Sequence, residues 1–204
     1  MDLVPDHLVV CVEDLDDADR EFRGRFGLGS VPGGRHHGHG TENRLIPLGG
    51  SYIELVGVVD KRESVESLFG SWVAVHASGQ LAIDALCLRT DDIEAVSDRL
   101  GIQPVEMSRT RPDGATLSWR VGGIEQTIAD GLPFFIEWNA ASKDLPGRAP
   151  ITHPVGDVHL ESVTLTGYGQ TLKDWVATAS QIEVVDGPPS IRALVATPSG
   201  TIHL

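Results

Sequence analysis

His36, His37 and His39 lie within the stretch GGRHHGHGTENRL, a dense group of side chains able to bind a metal or move a proton. The glycines at 33, 34, 38 and 40 argue for a loop there. A structural metal site needs fixed geometry, so this tract reads as a solvated patch or part of a binding wall rather than as a ligand set. Glu54 poses a different problem. In SYIELVGV, residues 51–58, strand alternation puts Tyr52, Glu54 and Val56 on one face and Ile53 and Leu55 on the other. A carboxylate on so apolar a strand needs a partner, which a histidine and a metal would supply. In HLVVCV, residues 7–12, His7 shares a face with Val9 and Cys11. The alternative, a strand-end histidine and a solvated glutamate, stays open at this point.

The elements that must position these residues repeat along the chain. The strand HLVVCV passes through Asp14, an N-cap type, into a helix with Leu15, Ala18 and Phe22 on one face. Asp16, Asp17 and Asp19 suit the positive end of its dipole. After a glycine-rich connection come TENRLIPLG and SYIELVGV, with Gly49-Gly50 as a turn signal. The order then recurs. Cys87 stands where Cys11 stood, Ile93, Val96 and Leu100 are spaced as a helix face, ATLSWRVGG matches RLIPLGG, and LPFFIEWN matches SYIELVGV with Glu137 opposite Glu54.

The fold class expected is α+β, with paired βαβββ modules forming a cupped mixed sheet. The first module takes residues 1–60 and the second 80–139. Between them, residues 61–79 carry apolar side chains at 65, 68, 69, 72 and 73, the pattern of an amphipathic linker helix with Trp72 in the core. Residues 140–156, rich in Pro, Gly and Ser, read as a second linker. Residues 157–204 read as a partial third copy of βαβ type, packed with the others as one unit.

The chain has 204 residues, with 16 Lys+Arg against 29 Asp+Glu for a formal charge of −13. That charge repels phosphate backbones and excludes a nucleic-acid partner. No apolar run approaches the roughly 20 residues of a membrane span, and no basic region precedes the first apolar stretch, so a cytoplasmic protein without a membrane partner is expected. Cys11 and Cys87 sit in apolar strands and read as reduced and buried.

These features carry a resemblance. DHLVV, the GGRHHGHGTENRLIPLGGSYIELVGV stretch, LPFFIEW and His153-Pro154, set in a βαβββ duplication, resemble the glyoxalase-like domain proteins of the vicinal oxygen chelate superfamily. The resemblance implies a divalent metal on the concave face, with ligands from the first and fourth strands of each module: His7 and Glu54 in the first, and Glu137 in the second, where Ile83 replaces the matching histidine. It also singles out His36 and Asn43, read here as wall residues donating to a substrate oxygen. Among Trp119, Phe134, Phe135 and Trp138, Phe135 shares the face of Glu137 and is expected to line the cavity.

Two functions follow as expectations. One is a metal-dependent lyase or isomerase acting on a small molecule with a carbonyl or vicinal oxygens, with Glu54 or Glu137 as the catalytic base. An extradiol-type dioxygenase is a poorer variant, because the two-histidine, one-carboxylate triad is not visible at the matched positions. The other is a non-catalytic small-molecule binder of resistance-protein type, without a metal. The metal's identity and a homodimeric assembly stay open.

Overall fold

The computed structural model describes residues 2–110, 114–167, 169–177 and 179–204. The first module runs β1 (Val4–Cys11), α1 (Leu15–Phe26), β2 (Val31–His36), β3 (Thr41–Leu48) and β4 (Ser51–Val58). Asp14 caps α1 by accepting from the amides of Asp16 and Asp17, and Gly27, at φ 68°, ends the helix in the left-handed region. Two short helices follow, α2 (Lys61–Val65) and α3 (Leu68–His76), where one linker helix was expected. The break falls at Ser67, whose hydroxyl caps α3 by accepting from the amide of Gly70. Only the second part of the expected stripe is used. Trp72 and Val73 are buried, whereas Val65 and Leu68 face solvent.

The second module runs β5 (Ala85–Arg89), α4 (Ile93–Leu100), β6 (Val105–Thr110), β7 (Thr116–Gly122), α5 (Ile124–Asp130) and β8 (Phe134–Trp138). Helix α5 takes the place of the tight turn that joins β3 to β4. The C-terminal unit runs β9 (His159–Gly167), α6 (Gly169–Val176), β10 (Ile182–Asp186), β11 (Ser190–Thr197) and β12 (Gly200–His203).

The two modules close into one barrel, in the order β1-β4-β3-β2-β6-β7-β8-β5. Strands β1 and β4 pair in parallel, as do β5 and β8, and β5 returns antiparallel to β1. The other seam joins β2 and β6, with the pairs Arg35–Thr110 and His36–Arg109 among the described residues. The C-terminal strands form a separate sheet, β10-β9-β11-β12, in which β9, α6 and β10 make a parallel βαβ unit. Its first strand lies between β10 and β11, unlike β1 and β5, which each pair with the fourth strand of their own module.

Strand alternation divides the apolar residues into two cores. Inside the barrel, Val9, Cys11, Val56, Ala85, Cys87, Trp119, Phe134 and Ile136 meet Trp72 and Val73 of α3. Outside it, Leu8, Val10, Ile53, Leu55 and Phe135 pack with Phe22 of α1, Ile93 of α4, Trp175 of α6 and Val163 and Val195 of the C-terminal sheet. Both cysteines are free and buried. His153 straps the second linker down: its Nδ1 accepts from the amide of Gly29 at 3.1 Å, and its Nε2 donates to the carbonyl of Pro47 at 2.8 Å. The His153-Pro154 pair is thus a packing feature.

Candidate active site inside the barrel

His7 on β1 and Glu54 on β4 come together because of register. His7 pairs with Tyr52 and Val9 with Glu54, so both side chains point inward from neighbouring strands. His7 Nε2 stands 3.6 Å from Glu54 Oε2, and both residues are buried. The other ring nitrogen, Nδ1, donates to Asp6 Oδ1 at 2.8 Å, which holds Nε2 towards Glu54. The ring stacks on Tyr52 at 4.6 Å and meets the edge of Phe134 at 5.5 Å, so its plane is fixed as well as its tautomer.

Asp6 was not singled out by sequence reading. Alternation assigns it the face opposite to His7, but the β1–β5 register shifts between Pro5 and His7. Asp6 is buried and serves as a hub, with Oδ2 accepting from Arg89 Nη1 and from Trp138 Nε1, each at 3.0 Å.

His36, the last residue of β2, also points inward. Its Nε2 lies 3.6 Å from Glu54 Oε1, and its Nδ1 lies 3.0 Å from Thr41 Oγ1. Burial pushes its pKa down to about 4, against the opposing pull of Glu54, so the ring is neutral near pH 7. Asn43 on β3 donates from Nδ2 to Glu54 Oε1 at 2.5 Å, while its own Oδ1 is buried without a hydrogen-bond partner. Arg109 on β6 is buried too and bonds the carbonyl of Gly33 through Nη1. These groups line a chamber with Tyr52, Phe134 and Trp138, holding about 40 Å³ of room for the centre of a water-sized sphere.

Two expected members of this site lie elsewhere. Glu137 accepts from the amide of Ile93 and from Arg120, each at 3.3 Å, on the outer side of β8. Phe135 is fully buried in the outer core, 6.0 Å from Trp175. Phe134, Ile136 and Trp138 face the chamber instead. The reason is register. Cys87 pairs with Phe134 as Cys11 pairs with Val56, so the chamber face of β8 carries the even-numbered residues. Matching Glu137 to Glu54 slipped the strand by an odd number of residues, which reverses every side chain. His37 is exposed, and His39 is half-buried with Nδ1 2.6 Å from Ser67 Oγ. Neither enters the chamber.

The donors fit a divalent ion. A buried carboxylate flanked by two imidazole nitrogens, one held neutral by burial, is the mixed nitrogen and oxygen set that such ions favour. The orphaned amide oxygen of Asn43 lies beside it. Among the described residues, the donor atoms that all lie within 4.8 Å of one another are those of Asp6, His7 and Cys87, so His7, Glu54 and His36 would have to draw closer around an ion. The group with Cys87 is less suited to an ion, because Asp6 is taken up by His7, Arg89 and Trp138 and burial pushes the Cys87 thiol well up.

With this geometry in hand, comparison with known proteins is informative. A glyoxalase-like domain model matches residues 6–181. The chain belongs to the glyoxalase-like domain family. Its fold is that of the vicinal oxygen chelate proteins. A hypothetical protein from Staphylococcus aureus of known crystal structure is 19% identical and superposes with a TM-score of 0.69, over 98% of each chain. Methylmalonyl-CoA epimerase from Streptomyces coelicolor, in complex with 2-nitronate-propionyl-CoA, is 17% identical with a TM-score of 0.47, over 67% of this chain and 97% of that one. The same enzyme from Mycobacterium tuberculosis is 21% identical with a TM-score of 0.46, over 65% and 86%. No curated protein matches the chain. Family and fold place it among proteins that act on or bind small molecules. Among the described residues, no helix is long and apolar enough to cross a membrane.

Proposed function

We propose that this glyoxalase-like protein is a metal-dependent lyase or isomerase that removes a carbon-bound proton next to the carbonyl or vicinal oxygens of a small substrate. The observation that carries the reading is the buried line Asp6–His7–Glu54, in which Asp6 leaves His7 Nε2 facing the Glu54 carboxylate. His7, Glu54 and His36 would hold the ion, which supplies Lewis-acid polarisation of the substrate oxygen. Glu54 is the group placed to take the proton, since Glu137 is turned out of the barrel. Asn43 Nδ2 and the Arg109 guanidinium are donors at the chamber wall that can orient a substrate oxygen. The apolar walls of Phe134 and Ile136 exclude water, so charge interactions in the chamber are stronger than in solvent.

A metal-free binder remains the second reading. It is favoured by the second module, where β8 brings only Phe134, Ile136 and Trp138 to the chamber. Solvent exchange separates the two. Incubated in D₂O with a panel of 2-oxoacids and α-hydroxyketones, the parent should catalyse exchange of the carbon-bound proton next to the carbonyl, read by proton NMR. Glu54→Gln should lower that rate by at least about a hundredfold, the scale of a general-base contribution. Exchange that is absent in the parent supports the binder, and exchange that is unchanged in Glu54→Gln removes Glu54 as the base.

A further inference from the structure

Two cavities of very different size share a wall. The chamber offers about 40 Å³, and one water needs roughly 10–15 Å³ on this measure, so it takes about three water-sized groups. That suits a carbonyl or carboxyl group and little more. A groove of about 1150 Å³ lies along the barrel rim, reaching from His37 to Asn139, and this exceeds the roughly 300–1000 Å³ of ordinary small-ligand sites. Met107, Trp119 and Trp138 line both cavities. The two indoles lie 5.2 Å apart at 54°.

The shared wall is also tied to the reacting groups. Trp138 and Arg89, both groove residues, donate to the Asp6 oxygen opposite the one that receives His7 Nδ1. The groove has a definite chemical character. Arg89 is engaged by Asp6, and Arg120 by Glu94 and Glu137, while Asp91, Glu106 and Glu137 make the surroundings acidic. An anionic tail gains little there. Two indoles and a thioether instead present polarisable faces to a flat, apolar group.

We propose that the ligand has two parts, a compact oxygen-bearing head in the chamber and a planar, uncharged aromatic tail in the groove, with Met107, Trp119 and Trp138 as the threshold between them. The head assignment rests on the proposed function; the tail assignment does not. Calorimetric titration can test it with three probes: pyruvate for the head, phenylpyruvate for head plus tail, and 3-phenylpropan-1-ol for the tail. The parent should bind phenylpyruvate at least tenfold more tightly than pyruvate, and should bind the alcohol measurably. Trp119→Ala should reduce the tail advantage, the ratio of the two oxoacid affinities within the variant, below threefold. Met107→Trp, which narrows the threshold, should lower the same ratio, so the test survives if Trp119→Ala does not fold. His7→Ala should weaken both oxoacids equally and leave the alcohol untouched, so failure of the catalytic reading is distinct from failure of this one. Equal affinity of the parent for pyruvate and phenylpyruvate, a tail advantage that persists in both threshold variants, or no binding of either phenyl probe would overturn the proposal.

Discussion

Burial pushes the His36 imidazole down to about 4, whereas in the unfolded chain it titrates near its ordinary value of 6.5. Between those two values the unfolded state binds more protons than the native one. The stability associated with a neutral His36 is therefore present above pH 6.5 and is lost as pH falls towards 4. The loss is on the order of 3 kcal/mol when complete. Urea unfolding at pH 7 and pH 4.5 should show a larger drop in stability for the parent than for His36→Gln, which cannot titrate. An identical drop in both would mean that His36 is not the buried base described here. His7, His36, Asn43 and Glu54 were all legible as candidates, because strand alternation and the family motif concern local chain. Asp6 was not, because a register shift beside Pro5 leaves no mark in the pattern of residue types.

Elements with local signals were read well, and those without were missed. Asp14 announces α1, whereas Ser67, the cap of α3, divides in two a linker whose apolar stripe presents it as one helix. Helix α5 has no side-chain cap at its start, which falls at Gly123, and its seven residues give too short a pattern to show helical periodicity. The register slip that reversed Glu137 and Phe135 came from matching glutamate to glutamate across the β7–β8 connection, whose length sets which face β8 turns to the chamber. The turn 37–40 shows how element and residue interact. His37→Asn should leave stability within about half a kcal/mol, since its ring is exposed and reaches only Thr110 Oγ1 at 3.4 Å. His39→Asn should cost about 1 kcal/mol, because it gives up the bond to the Ser67 hydroxyl that caps α3 and an edge contact with Phe69. Thermal or urea unfolding of the two variants side by side checks this. Equal effects would contradict the division between them.

At the scale of the whole molecule, the repeat made two modules legible, but not the way their edges meet. Closure on this side is made by the β2–β6 seam, which brings His36 and Arg109 to adjacent positions from elements far apart in the chain. The C-terminal sheet owes its place to the outer core, where Phe135 of the barrel meets Trp175 of α6. Phe135→Ala should cost about 3–5 kcal/mol, as for other large aromatic truncations in cores, and leave the affinity of the folded protein for phenylpyruvate within twofold. A small stability loss with a large affinity loss would return Phe135 to the cavity wall. On the proposed function, the barrel interior, and not the outer face of β8, holds a divalent ion. Elemental analysis of protein purified without an affinity tag, for the parent, His7→Ala, Glu54→Gln and Glu137→Gln, tests it most directly. A stoichiometric divalent metal is expected in the parent and in Glu137→Gln, with loss in His7→Ala and Glu54→Gln. The same metal content in all four proteins, or loss in Glu137→Gln alone, would contradict it.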